Sequence, residues 1–362
     1  MKNREVDQTI TDALALPRLV RLSENLFAAS FVLMKLLPAR FILDRARDAA
    51  LIGRGSTIIE TTSGTFGLAL AMISALRGYN LILVSDPAID DALKRRLEDL
   101  GCRVEIVREP APVGGYQRAR LNRMAELQAE FPDHFWPSQY DNPHNPGAYA
   151  PLAELLLEAI GHIDVLVGTV GSGGSMCGTG EYLRTVHPDL KLFGVDTPGS
   201  VLFGQPDRKR MLRGLGNSLM PQNLDHSVFD EVHWVAAAEA FRATRLLHQR
   251  HALFQGGTSG AAYMVGDWCA RRNPDEKVVL ILPDEGYRYQ DTIYDDEWLH
   301  SQDLWLPDPP REPHLVDHPH EAGDRWTRLQ WERRSYEQVI GGSFIPAQQS
   351  SSFLAGSPSA GD

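Results

Sequence analysis

A glycine- and serine-rich run, Gly171-Ser172-Gly173-Gly174-Ser175, contains the residue types that bind a phosphate group. It follows an apolar strand pattern at 164–167 and precedes a helical pattern at 175–186, so its backbone amides and a helix N-terminus would face one point. The hydroxyls of Ser172 and Ser175 would add two hydrogen-bond donors. A flexible turn is the alternative interpretation, but the flanking strand and helix favour a phosphate-binding loop.

A second hydroxyl-rich run, Thr61-Thr62-Ser63-Gly64-Thr65, lies between a predicted strand at 57–60 and a predicted helix at 67–76. Hydroxyl groups and the free N–H groups of a helix N-terminus are suited to a substrate carboxylate. The alternative, compatible with the first, is that Thr62 or Ser63 simply caps the helix.

These two runs and two further segments resemble the cysteine synthase family, pyridoxal-phosphate (PLP) enzymes of fold type II. The additional matches are Gln139-Tyr140-Asp141-Asn142-Pro143-His144-Asn145-Pro146 and Pro283-Asp284-Glu285-Gly286-Tyr287-Arg288-Tyr289. Softer matches at 114–116, 199–204 and 291–298 resemble the branch that makes N-(2-amino-2-carboxyethyl)-L-glutamate from O-phosphoserine and glutamate, a route to 2,3-diaminopropionate. The resemblance covers roughly residues 14–300.

The resemblance implies a cofactor lysine in a segment similar to Asn-Pro-Gly-Gly-Ser-Val-Lys-Asp-Arg. Aligning Pro38, Asp44 and Arg45 with that segment places Leu43 at the lysine position. Leucine cannot form a Schiff base or move a proton, so this alignment predicts that the chain has no catalytic residue for the family's chemistry. The nearest of the six lysines, Lys35, is eight residues upstream on a predicted strand, and its use would require a different path of this segment.

The resemblance also assigns other site residues. Thr65 replaces an asparagine that contacts the cofactor's ring oxygen in the family, and Asp284 stands where a hydrogen-bonding group faces the pyridine nitrogen. An ionised Asp284 would favour a protonated ring and a stronger electron sink, whereas the alternative is a solvated turn aspartate. Gln139 is a candidate contact to the substrate carboxylate, with an interdomain hydrogen bond as the alternative.

Two functions follow from these expectations. In the first, the chain is a lysine-deficient homologue that binds an amino-acid-like or phosphorylated ligand, or pairs with an active paralogue. In the second, it is an active β-replacement enzyme for O-phosphoserine- or O-acetylserine-like substrates with altered cofactor use. PLP would be bound without a covalent bond, or would not be bound. The family implies a homodimer.

Alternating strand and helix patterns, with predicted strands at 80–85 and 278–282 among them, predict two open, mostly parallel α/β domains. The family resemblance implies that these domains belong to the tryptophan synthase β-like class. The larger domain is predicted to contain residues 1–28 and 151–306, and the smaller one residues 29–150. A composition rich in proline predicts a partly disordered tail at 307–362, in which 325–339 could form a short docking helix.

Composition excludes several other classes of protein. The 47 acidic and 36 basic side chains give a net charge of −11, which argues against nucleic-acid or anionic-membrane surfaces. No apolar run approaches the length of a membrane helix, and the N-terminus lacks the apolar centre of a secretory signal, so we expect a cytoplasmic protein. Three widely spaced cysteines and dispersed histidines predict neither disulfides nor a metal site.

Overall fold

The computed structural model describes residues 6–62, 64–112 and 115–341, and its strands form two sheets. The large sheet contains, in order of neighbouring strands and numbered along the chain, β1 (Arg18–Arg21), β2 (Leu26–Ser30), β9 (Val278–Leu282), β6 (Val165–Thr169), β7 (Lys191–Asp196), β8 (Glu231–Trp234), β11 (Thr327–Gln330) and β10 (His314–Leu315). The small sheet contains β3 (Thr57–Thr61), β4 (Asn80–Ser85) and β5 (Arg103–Ile106).

Helices cover both sheets. They are α1 (Ile10–Ala13), α2 (Leu36–Asp48), α3 (Thr65–Arg77), α4 (Asp91–Asp99), α5 (Gly115–Glu130), α6 (His144–Gly147), α7 (Ala150–Ile160), α8 (Gly174–Arg184), α9 (Ala237–His251), α10 (Gly257–Arg272), α11 (Asp296–Ser301) and α12 (Tyr336–Ile340). Strands β6 and β9 are buried along their whole length, because hydrophobic clusters lie on both faces of the large sheet. A third cluster joins α2 and α3 to the small sheet.

The strand pairing brings three chain segments to one edge of the large sheet. Strands β2, β9 and β6 are adjacent and parallel, so the residues that follow them emerge on the same side. These residues are 31–35, 283–289 and 170–175. Because ligands of open α/β sheets bind beyond the carboxyl ends of the strands, this edge is where a binding site is expected.

The predicted mostly parallel α/β class is confirmed, and strands β4 and β9 have the predicted bounds. The predicted domain division after residue 28 does not coincide with the end of an element. Strand β2 runs to Ser30 and belongs entirely to the large sheet, so the predicted division after residue 28 falls inside a strand. No helix in the described parts of the chain is long and apolar enough to cross a membrane.

The predicted tail is also wrong for much of its length. Residues 314–341, which we call the C-terminal segment, add β10 and β11 to the large sheet. Within the predicted helix at 325–339, residues 327–330 form the strand β11, and only residues 336–339 belong to the short helix α12. The reason is burial of large side chains: Trp326 and Trp331 are 2% and 0% exposed. The rest of the predicted tail, 342–362, lies outside the described residues.

We predict that Trp331→Ala lowers the free energy of unfolding by about 3–5 kcal/mol, the usual cost of emptying a buried tryptophan site. Urea unfolding followed by circular dichroism measures this change. Trp305→Ala is the control, because Trp305 is 40% exposed and its removal leaves no buried cavity. An unchanged unfolding curve for Trp331→Ala would contradict the docking of the C-terminal segment.

Candidate functional site

A cavity of about 450 Å³ lies between the two sheets, at the edge where β2, β9 and β6 end. The small-sheet side contributes Gly64, Thr65 and the turn 87–90. The large-sheet side contributes residues after β6 and β9 and a long loop at 209–214. This volume is in the range of small-molecule binding sites.

The glycine-rich loop after β6 forms one end of the cavity. Gly173 has φ of 84° and precedes the first residue of α8, while Gly171, Ser172 and Ser175 line the cavity. A Cβ atom on Gly173 would lie 2.5 Å from the carbonyl oxygen of Asn223, so the close packing of this turn requires glycine. The 11-residue helix α8 begins at the cavity, so its first main-chain N–H groups can bind an anion there.

Lys35 lies at the start of α2 and lines the same cavity. Burial lowers the pKa of its amine from 10.5 to about 8, because the charged form loses hydration. An amine with this pKa is partly neutral near physiological pH, and a neutral amine is a nucleophile and a base.

Leu43, which the alignment placed at the cofactor lysine position, does not reach the cavity in this structure. Helix α2 begins directly after Lys35, so Leu43 lies about 12 Å further along the helix axis, roughly two turns away. Leu43 is fully buried in the hydrophobic cluster between α2, α3 and the small sheet, and it does not line the cavity. Asp44, used in that alignment, instead forms an ion pair with Arg77 at 2.8 Å.

Asp284 follows β9 and contributes a carboxyl group to the cavity wall. Its Oδ2 accepts a hydrogen bond from the Tyr289 hydroxyl at 2.7 Å, whereas its buried Oδ1 has no hydrogen-bond partner among the described residues. Burial raises the pKa of this carboxyl, although the Tyr289 hydrogen bond and the nearby Arg288 oppose that change. A ligand that donates a hydrogen bond or carries positive charge would satisfy Oδ1 and restore ionisation.

Two hydrogen bonds connect the small-sheet side of the cavity to its large-sheet side. The Arg288 guanidinium donates to Oδ2 of Asp90 at 2.7 Å, and Asp90 also caps helix α4. In the same turn, the main-chain oxygen of Ala88 accepts a hydrogen bond from the Arg213 guanidinium at 2.8 Å. These contacts join the turn 87–90 of the small-sheet side to segments that follow the large sheet.

The cavity wall formed by 209–214 is basic. Arg210 is paired with Asp207 at 2.7 Å, but Lys209 and Arg213 have no carboxylate within ion-pair distance in the described parts of the chain. In a protein of net charge −11, two such cations at one cavity wall indicate a preference for an anionic ligand.

The structure brings together some of the predicted site residues and not others. Gly171, Ser172, Ser175, Gly64, Thr65 and Asp284 line the cavity. Gly173 and Gly174 shape the turn behind it, Thr61 and Thr62 are buried beside it, and Ser63 lies outside the described residues.

The predicted contact of Gln139 with a substrate is not supported, because Gln139 does not line the cavity. Its main-chain oxygen accepts hydrogen bonds from the side chains of Asn145 and Asn223. This arrangement corresponds to the structural alternative, since Asn223 follows β7 and Asn145 belongs to the connection from the small sheet.

Sequence reasoning missed Lys35, Arg213, Arg288 and Tyr289 as cavity residues. For Lys35 a signal was present. The apolar residues after it repeat with helical spacing, as Leu36, Leu37, Ala39, Ile42, Leu43 and Ala46. That spacing indicates a helix from residue 36 and places position 43 on its buried face.

Comparison with known proteins finds one family and several relatives to which the chain is similar. Residues 31–284 match the family described as pyridoxal-phosphate dependent enzyme. The chain is 37% identical over 268 residues to N-(2-amino-2-carboxyethyl)-L-glutamate synthase of Cupriavidus metallidurans, covering 72% of this chain and 79% of the relative.

Two solved structures are similar in fold. The O-acetylserine dependent cystathionine beta-synthase of Helicobacter pylori has a TM-score of 0.74 and 26% identity, covering 81% of this chain and 100% of that one. O-ureido-L-serine synthase, solved as a lysine-to-alanine variant with O-ureido-L-serine bound, has a TM-score of 0.73 and 25% identity, covering 83% and 99%.

We predict that Lys35→Met stabilises the cofactor-free protein by about 1–3 kcal/mol at pH 7. The amine's pKa is lower in the folded than in the unfolded chain, so its penalty is complete below pH 8 and disappears as pH rises to 10.5. Urea unfolding of both proteins at pH 7 and pH 10 measures the difference. Lys209→Met, at an exposed lysine of the same cavity, is the control and should change the free energy of unfolding by no more than about 0.5 kcal/mol.

Proposed function

Because the chain belongs to the pyridoxal-phosphate-dependent enzyme family, we propose that it is an active β-replacement enzyme whose cofactor lysine is Lys35. The observation that carries this proposal is that Lys35 lines the cavity, with burial lowering the pKa of its amine to about 8. The alternative of a lysine-deficient binding or partner subunit depended on Leu43 occupying that position, and Leu43 lies in the hydrophobic core.

The residues of the cavity fit PLP. The loop 171–175 and the first amides of α8 would hold its phosphate, with Ser172 and Ser175 as hydroxyl donors. The unpartnered Oδ1 of Asp284 would accept a hydrogen bond from a protonated pyridine nitrogen. When bound, PLP withdraws electrons from the substrate Cα, which allows the β-substituent to leave.

Lys35 would perform two tasks. Its neutral amine would be the group that holds the cofactor at its aldehyde carbon. The same Nζ atom is then the base that removes the proton from the substrate Cα and returns it later. Both tasks need a partly neutral amine near neutral pH, and burial supplies it by lowering the pKa.

Asp284 and Tyr289 would control the protonation of the cofactor's pyridine nitrogen, and so how strongly the ring withdraws electrons. A positively charged ring beside Asp284 favours the ionised carboxylate, which in turn keeps the proton on the ring nitrogen. The Tyr289 hydroxyl fixes the carboxyl by donating to Oδ2, which leaves Oδ1 for the ligand.

Substrates with an additional anionic group fit the basic wall at 209–214. The N-terminus of α3, with Gly64 and Thr65 at the cavity, is suited to the α-carboxylate. Lys209 and Arg213 would then face either the phosphate of an O-phosphoserine-like donor or the side-chain carboxylate of an acceptor such as glutamate. The name of the Cupriavidus metallidurans relative supports glutamate as that acceptor.

The direct test supplies PLP, O-phospho-L-serine and L-glutamate to the purified chain, and measures phosphate release together with the mass of the amino-acid product. Substituting O-acetyl-L-serine distinguishes the two donor classes. We expect turnover in the wild type and a loss of at least about 100-fold in Lys35→Ala, since a positioned base contributes that much.

Leu43→Met is the matched control, because this volume-conserving change lies in the core and should alter the rate by no more than about twofold. Turnover that persists in Lys35→Ala would show that another group performs the chemistry and would reject the proposal.

A further inference from the structure

The C-terminal segment packs behind one wall of the cavity, although it lies beyond residue 284, where the family match ends. That wall belongs to a long connection after β7, residues 199–214, which we call the wall loop. The wall loop contributes every cavity residue from Lys209 to Gly214. It contains no helix or strand, so its position depends on side-chain and packing contacts.

Gln205 is the link between the wall loop and the C-terminal segment. Its side chain is 5% exposed and uses both ends of its amide group. The Nε2 atom donates to the main-chain oxygens of Pro319 at 3.2 Å and Ala322 at 2.7 Å. The Oε1 atom accepts the main-chain N–H of Gly199 at 2.7 Å.

Gly199 transmits this link to the cavity. Its carbonyl oxygen accepts the main-chain N–H of Arg208 at 3.0 Å and a guanidinium hydrogen bond from Arg210. Gly199 has φ of 83°, and a Cβ atom there would lie 2.8 Å from Cβ of Arg208. The hydrogen bond between Gly199 and Arg208 therefore joins the two ends of the segment that precedes Lys209. Gln205 holds Gly199 in place from the side away from the cavity.

Packing reinforces the same connection. The ring of Phe203 in the wall loop meets the ring of Trp331 in the C-terminal segment, edge to face, with centroids 5.2 Å apart. The side chain of Ile340 packs against Gly204, where φ is 87° and a Cβ atom would meet the end of the Ile340 side chain. Hydrogen bonds and apolar contacts thus place the same short stretch, 203–205, against the C-terminal segment.

We propose that Gln205 is a positioning residue through which the C-terminal segment holds the wall loop in its substrate-binding position. Gln205 does not line the cavity, so its effect reaches the substrate only through the loop. Without the link, the loop populates displaced conformations, and substrate binding must first restore the competent one. KM therefore rises, while the rate at saturation is preserved.

The test uses the full-length, PLP-loaded protein and the variant Gln205→Met, which keeps the side-chain volume and removes both hydrogen-bonding ends. We expect hydrogen exchange of the amides of 207–214 to accelerate by at least about threefold, the equivalent of the net contribution of one of the three hydrogen bonds that are lost. KM should rise by a similar factor, with kcat changed by no more than about twofold.

Gln330→Met is the matched control, since Gln330 lies in the same C-terminal segment but donates to Glu231 of β8 at 2.9 Å and not to the wall loop. Gln205→Glu is a second variant, which retains the acceptor for Gly199 and removes the donor to Pro319 and Ala322. It should accelerate exchange of the same amides even if Gln205→Met does not fold.

The kinetic readout alone rests on the proposed function. If the wild type shows no turnover with the proposed substrates, hydrogen exchange still decides the positioning role. Unchanged exchange at 207–214 in the Gln205 variants, or equal acceleration in Gln330→Met, would overturn the inference.

Discussion

The connection between β2 and α2 is the constraint on which the site depends. Only residues 31–35 join them, and β2 is hydrogen-bonded to β9 along its whole length. Lys35 must therefore stay at the edge where the residues after β9 and β6 also emerge. Asp284 and the loop 171–175 come to the same place for the same reason, since parallel neighbouring strands end on one side.

The cavity is completed by parts of the chain that are distant in sequence. The small-sheet side supplies Thr65 and the turn 87–90, and the contacts of Arg288 with Asp90 and of Arg213 with Ala88 hold this turn against the large-sheet side. The wall loop is supported from behind by the C-terminal segment. The cavity is thus surrounded by a basic wall, a helix N-terminus and a lysine with a lowered pKa. Each of these belongs to a different part of the chain.

Most of the fold was predictable because buried strands and amphipathic helices have distinct periodicities, and β4 and β9 have the bounds that the sequence predicted. The phosphate loop was predictable because strand, glycine-rich turn and helix are consecutive. Lys35 was misjudged because matching Asp44 and Arg45 to a family motif ignored the helical spacing of 36–46. Arg213, Tyr289 and the docking of the C-terminal segment depend on contacts between distant residues, which local patterns do not reveal.

The most direct measurement is the site of covalent attachment of PLP. The protein is loaded with PLP, reduced with borohydride and digested, and the modified peptide is identified by mass spectrometry. We expect a single adduct, on the peptide that contains Lys35. An adduct on Lys94, Lys191, Lys209 or Lys277 instead, or no adduct after PLP binding is shown by absorbance, would contradict the central role of Lys35.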